Sequence, residues 1–251
     1  SLSFLKASNV LTSFAIFYDV ENPNQFCRDI KDILNPEGVW VCEISYLPLM
    51  LKNLTFDQIC HEHVTYYSLT VFEKILNKNG LKLIDVRLNE INGGSIEIIC
   101  SHKKSQKKVN HKIINQLKED ELKIKNSAFN NFSKRIYKIK QDLNKFLNSK
   151  KNVLGYGAST KGNVVLNFCK IGSNKIKFIS DANNKKFGKF TPGSNIQIIS
   201  KEKMREISPK YLLILIWTFR KEVIKQELNY IKSGGSLVFH LPKLHIINKK
   251  N

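Results

Sequence analysis

The sequence predicts an α/β protein with two sheets in series, joined by a helical connector. Three observations carry that expectation. Helix, turn and apolar strand recur through the first hundred residues. Residues 103–151 then hold neither Pro nor Gly and are heavily charged. From Asn152 a strand runs into a glycine loop and a helix, and the alternation starts afresh. The expected divisions are 1–102, 103–150 and 151–251.

The elements follow in order. Phe4–Val10 is a short apolar run ending in the polar tip Ser8-Asn9, read as a strand. Asn22 and Pro23 open a helix through about Leu34, with Phe26, Ile30, Ile33 and Leu34 at helical spacing. Asn35-Pro36-Glu37-Gly38 has turn composition, and Val39–Ile44 reads as a buried strand. Leu69–Asn79 is a helix stopped by Gly80, Leu81–Arg87 a strand, and Asn92-Gly93-Gly94-Ser95 a turn into the strand Ile96–Cys100. Lys103–Lys151 reads as one or two amphipathic helices, with apolar residues such as Ile113, Leu117, Ile136 and Leu143 on one face. In the last hundred residues, strands are expected at Asn152–Leu154, Ile176–Ile179, Asn195–Ile199, Tyr211–Trp217 and Ser236–His240. Helices are expected after Asn163 and over Arg220–Ile231.

Composition narrows the function classes. A net charge of +20 first suggests a polyanion partner, but only five of the 41 basic residues are Arg. Arg is the side chain that grips phosphates and bases bidentately. The Lys are spread over the whole length, so neither nucleic acid nor membrane is expected as a partner. The charge would still steer a small anionic substrate. Five widely spaced cysteines, with no Cys-x-x-Cys, read as reduced thiols. No run of 18 apolar residues and no signal peptide is seen, which with the reduced thiols points to a cytoplasmic protein; a monomer is the expected state. Ser1–Val10 reads as the middle of a domain.

Two segments carry chemistry. His61-Glu62-His63 puts two of the six histidines and a carboxylate within three residues. On a strand the two imidazoles would share a face, but a third metal ligand is not visible, so no metal is expected. On a loop, one His can act as general base while Glu62 fixes its tautomer, and Tyr66 or Tyr67 can donate to a developing oxyanion. The second segment is Gly155–Asn163, placed between a strand and a helix as an anion-binding loop requires. Its spacing fits neither the dinucleotide fingerprint nor the Walker loop. Gly157, Ser159, Lys161 and Asn163 are its candidate contacts, and Asp181, 26 residues beyond Gly155, can reach a ribose hydroxyl. Asn9 and Glu43 are expected at the C-terminal ends of parallel strands, where open sheets bind ligands. Trp217-Thr218-Phe219 and His240 read mainly as core.

Taken together, Ala7–Leu11, Pro36–Glu43, Phe56–Ser68, Asn92–Ser95, Gly155–Asn163, Asp181 with Gly188–Gly193, and Gly234-Gly235 resemble the sugar C-methyltransferase family. Such enzymes methylate a carbon of a nucleotide-linked keto sugar with S-adenosylmethionine. The resemblance implies part of a class I methyltransferase domain, truncated at its N-terminus, followed by a second Rossmann-like domain. The family's zinc belongs to a preceding cysteine-rich domain without counterpart here, and this piece alone is expected to be inactive. The resemblance makes His63 the base that removes the proton beside the ketone, with Glu62 orienting it and His61 lining the pocket. It implies Asn9 and Glu43 for the cofactor, Tyr46 and Asn92 for the sugar, and the glycine loop for the diphosphate. Cys60 stands where the family carries Tyr, and Tyr66, Tyr67 or Tyr46 are the candidate replacements. The alternative is a nucleotide-sugar or dinucleotide-binding module without methyl transfer.

Overall fold

The computed structural model describes residues 8–250, in two compact units. The first comprises the described residues through Asn53 together with His61–Asn130. The second comprises Leu54–Cys60 together with the described residues from Asn131 onward. The expected strand over Phe4–Val10 therefore lies partly outside the described residues.

The first unit contains β1 (Ser8–Phe14), α1 (Pro23–Ile33), β2 (Leu34–Ser45), α2 (Leu47–Asn53), α3 (Leu69–Lys78), β3 (Leu81–Asn89), β4 (Ser95–His102) and α4 (His111–Leu122). Its sheet has the order β1-β2-β4-β3, with β1 parallel to β2 and the other pairs antiparallel. Local chemistry sets the helix ends. Asn22 Oδ1 accepts from the Gln25 N–H at 3.0 Å while Pro23 occupies the first turn of α1. Ser68 caps α3, and Gly80 at φ +77° ends it. Phe17, Trp40, Tyr67 and Phe72 pack ring against ring in the core, with the Trp40 indole donating to Ser13 Oγ. Ile114 and Leu117 of α4 join that core.

One turn is absent as such. Asn35–Gly38 lies within β2, because Leu34 pairs with Ser8 and Val39 with Val10. The four intervening residues bulge opposite Asn9, and the bulge accommodates Pro36, which has no N–H to give a ladder.

The second unit holds most of α5 (Asn126–Ser149), then β5 (Val153–Tyr156), α6 (Thr160–Cys169), β6 (Phe178–Ser180), β7 (Gln197–Ile199), α7 (Lys201–Ile207), β8 (Tyr211–Ile214), α8 (Arg220–Gln226), α9 (Leu228–Lys232), β9 (Ser236–Phe239) and β10 (His245–Ile247). The sheet order is β10-β9-β8-β5-β6-β7, parallel except for β10. The chain moves from β5 outward to β7, then returns to β8 on the other side. The switch point therefore lies between β5 and β8, as in a Rossmann-like sheet. The α/β class holds for both units.

Three expectations change here. The strand from Tyr211 stops at Ile214, and Trp217–Phe219 forms a 3₁₀ turn. The single helix over Arg220–Ile231 is two, broken at Glu227 (φ −103°, ψ 15°). That buried carboxylate meets Lys201 at 2.9 Å, Arg205, and the Tyr156 hydroxyl at 3.0 Å, which compensates its removal from water. The antiparallel edge strand β10 was not expected at all.

Candidate functional site

The His61-Glu62-His63 segment is a loop, not a strand. Beyond it, the N–H groups of Val64 and Thr65 both donate to the Tyr18 carbonyl, at 2.9 and 3.2 Å. Tyr18 belongs to a 3₁₀ turn that follows the C-terminal end of β1. The loop is thus tied to the sheet edge where ligands of open α/β sheets bind.

The three side chains part company. His61 is 92% exposed and its Nδ1 lies 3.3 Å from Glu62 Oε2, whereas His63 is 12% exposed. The His63 ring lies 4.4 Å from the Tyr18 ring, and Tyr66 presents an edge at 6.4 Å. Its Nε2 is 4.0 Å from Asp19 Oδ1. The carboxylate found against His63 is therefore Asp19, while Glu62 faces His61. Burial pushes the Asp19 carboxyl above its ordinary value, the positive charge of His63 pulls it back, and Glu62 pushes it up again. Asp19 and Tyr18 are the members of this constellation that the sequence reading missed. Their only signal was position, directly after a strand and before the Asn22-Pro23 helix start.

The other expected residues of the first unit divide. Glu43 is at the C-terminal end of β2 and buried, with Oε2 accepting from Asn89 Nδ2 at 2.8 Å. Asn9 is not at that end. It is the second residue of β1, opposite the β2 bulge, where its Oδ1 accepts from Asn35. The reason is that β1 continues to Phe14, well past the polar tip taken for its end. Tyr46 is buried and donates to Glu121 Oε1 at 2.8 Å; its phenol is pushed up by burial and by that carboxylate. Tyr67 is buried in the aromatic core. Of the candidate phenols, Tyr66 is the one beside His63. Asn92 adopts the left-handed conformation (φ 56°) in the turn before β4, which enters the sheet opposite the end of β2.

In the second unit the glycine loop folds as the predicted strand-to-helix turn. Ser159 Oγ caps α6 by accepting from the Gly162 N–H at 3.0 Å. Asp181 accepts from the N–H groups of Ala158 and Asn183, each at 2.8 Å, and pairs with Lys186 at 3.4 Å. Gly157 (φ +87°) leaves no open space: a Cβ there would lie 2.6 Å from Ile216 Cγ2. Lys161 and Asn163 lie on the first turn of α6, and Asn163 Oδ1 is buried without a hydrogen-bond partner. His240 is fully buried. Neither ring nitrogen meets hydrogen-bond geometry, although the Ile214 backbone is near, so burial holds the imidazole neutral, down to about 4. The reading of His240 as core stands, but not as a well-satisfied one.

A residue outside every expectation sits among these groups. Asp57, 1% exposed, accepts from the Trp217 indole N–H at 2.7 Å through Oδ2, and its Oδ1 is buried without a partner. Burial pushes its carboxyl up to about 6, against the pull of the Trp217 hydrogen bond and the Lys161 charge.

Among the described residues no helix is long and apolar enough to cross a membrane. Comparison with known proteins adds the family. The chain is 29% identical over 241 residues to the C-methyltransferase NovU of Streptomyces niveus, taking in 94% of this chain and 57% of that protein. It thus spans little more than half the length of that relative. Among solved structures, TnmH is 15% identical over 39% of this chain and 31% of its own, with a TM-score of 0.31. M1.HpyAVI is 12% identical over 81% and 85%, with a TM-score of 0.26; scores that low do not establish a common fold. Residues 90–242 match the model of the C-methyltransferase C-terminal domain, and the chain belongs to that family.

Proposed function

We propose that this chain is part of an S-adenosylmethionine-dependent C-methyltransferase acting on a nucleotide-diphosphate-linked 4-keto deoxysugar, with His63 as the general base. The observation that carries the reading is the placement of His63: a mostly buried imidazole at the ligand edge of the first sheet, under Tyr18 and facing Asp19. A proton on the carbon beside a ketone becomes acidic as the enolate forms. An imidazole can take it near neutral pH. The Asp19 carboxylate offsets the imidazolium charge that results, and Tyr66 is the neighbouring phenol for the enolate oxygen.

S-adenosylmethionine would supply an electrophilic methyl carbon for the enolate carbon to attack. The two residues expected to hold it do not make a site: Asn9 is at the far end of β1 and Glu43 is engaged by Asn89. The binding-module alternative draws less support, because Gly157 is packed against Ile216.

The test uses the full natural chain and labelled methyl donor with a deoxynucleotide-linked 4-keto sugar. His63→Ala lowers turnover at least ~100-fold while nucleotide-sugar affinity holds, as loss of a general base does. Turnover unaltered by His63→Ala removes the imidazole from the chemistry.

A further inference from the structure

Within the first unit, the His63 loop runs into α3, and its exit is held by a carboxylate that the proposed chemistry does not use. Tyr67, near the end of the loop, bridges Tyr46, the residue directly after β2, and the Leu47 N–H donates to the Tyr67 carbonyl at 3.0 Å. Ser68 then caps α3 by accepting from the Val71 N–H at 3.3 Å, which leaves the N–H groups of Leu69 and Thr70 in need of other acceptors. Glu121, in the last turn of α4, takes both. Its Oε1 accepts from the Leu69 N–H (2.5 Å) and from Tyr46 Oη (2.8 Å), and its Oε2 from the Thr70 N–H (3.0 Å) and Thr70 Oγ1 (2.5 Å). An ionised carboxylate offers about four acceptor sites, so this one is filled. Lys118, also on α4, pairs with Glu73 of α3 at 2.5 Å, so α4 grips the same helix twice.

We infer that Glu121 is a positioning residue for His63: its one carboxylate joins the end of β2 to the start of α3 and fixes the exit of the loop, as the Tyr18 carbonyl fixes its middle. Tyr46 then serves the site through Glu121 and not by touching the sugar. Its single O–H is donated to that carboxylate. Burial and the adjacent negative charge push the phenol up, so it stays a donor. Hydrogen bonds to an ionised acceptor at a helix N-terminus are short and strong, which makes the exit stiff. The stiffness matters because a misplacement of about 1 Å at a reacting group can cost on the order of 100-fold in rate. The positioning role rests on the general-base reading of His63; the hold on the loop exit does not.

Hydrogen exchange and turnover, measured on the full natural chain, test it. Glu121→Gln keeps an acceptor oxygen but sets an amide N–H₂ against the remaining donors. Tyr46→Phe removes a single hydrogen bond and leaves the start of α3 capped. In Glu121→Gln, amides of residues 64–70 exchange at least ~10-fold faster, while those of β3 and β4 hold. Its kcat falls at least ~10-fold with KM for the sugar nucleotide within ~2-fold. Tyr46→Phe lowers kcat by about 3-fold, again at constant KM. Unaltered exchange over 64–70 in both variants, or an equal rise across the whole first unit, overturns the hold. Faster exchange with kcat unchanged overturns the positioning role, and so does a Tyr46→Phe variant that raises KM and leaves kcat intact, since Tyr46 is then a substrate contact. His63→Ala separates the two readings. If it is inactive while the Glu121 and Tyr46 variants are unimpaired, this inference alone fails; if it is fully active, the general base fails and takes the positioning role with it.

Discussion

Asp57 makes the second unit's stability depend on pH in a direction opposite to that of most carboxylates. Burial raises its carboxyl from 3.8 to about 6, outweighing the Trp217 hydrogen bond and the Lys161 charge. The folded protein therefore binds this proton more tightly than the open chain. The stability it contributes is fully present below pH 3.8, falls as pH rises, and is lost above about 6. Each pH unit of that window is worth 1.36 kcal/mol, so the ionised carboxylate costs about 3 kcal/mol. Asp57→Asn removes the titration and keeps an acceptor for the indole. The perturbation from Lys161 is already contained in the value near 6, and at pH 4 the protonated acid and the amide are closely matched. The advantage of Asp57→Asn over the wild type should thus grow by about 2 kcal/mol between pH 4 and pH 7, because part of the effect is already present at pH 4. Urea denaturation at fixed pH measures it, followed by Trp217 fluorescence in a Trp40→Phe background common to both proteins. Stability curves that run parallel from pH 4 to pH 8 would refute the reasoning, because Asp57 would then titrate alike in both states.

Glu121 of α4 accepts from Tyr46 Oη (2.8 Å), the N–H groups of Leu69 (2.5 Å) and Thr70 (3.0 Å), and Thr70 Oγ1 (2.5 Å). Glu121→Ala strands these donors at the start of α3 and destabilises the first unit by about 2–4 kcal/mol, read by urea denaturation. Gly157→Ala adds a methyl against Ile216 at φ +87° and lowers the second unit's stability by about 2–3 kcal/mol on the same measurement. Of the five cysteines only Cys60 is not buried, and burial pushes the thiols of Cys27, Cys42 and Cys169 up to about 12. A disulfide reagent at pH 8 should consume about one thiol in the folded chain, identified as Cys60 by peptide mapping.

What the sequence made legible was local. The Asn22-Pro23 start of α1, the Gly80 stop of α3 and the strand–loop–helix at Gly155 are each written in three or four adjacent residues. His61-Glu62-His63 stood out because it concentrates a scarce residue type. What stayed hidden depends on partners distant in the chain. Asp19 is an ordinary loop acid until the fold brings His63 beside it. Asp57 gains its meaning from Trp217, 160 residues away. Asn35–Gly38 has turn composition, yet neighbouring strand β1 holds both its flanks in register and makes it a bulge. The glycine loop was placed correctly as a turn. What fills the space beside Gly157 was not legible, since a glycine that admits a phosphate and one that admits Ile216 look the same in sequence.

The supports of the His63 loop are where unfavourable terms gather. A general base needs its ring held to within a fraction of an ångström, and a loop provides that only if its flanks are fixed. After the triplet, two N–H groups converge on the Tyr18 carbonyl. That carbonyl is delivered by a 3₁₀ turn entered through Ala15 in the left-handed region (φ 56°). A non-glycine residue held there costs on the order of 1–3 kcal/mol. Ala15 is not a glycine, although glycine would relieve the strain. It would also enlarge the set of directions open to the chain that carries the Tyr18 carbonyl. The strain is consistent with a single requirement, that this carbonyl have one place to be, and it is at functional sites that folds tolerate such local conflicts.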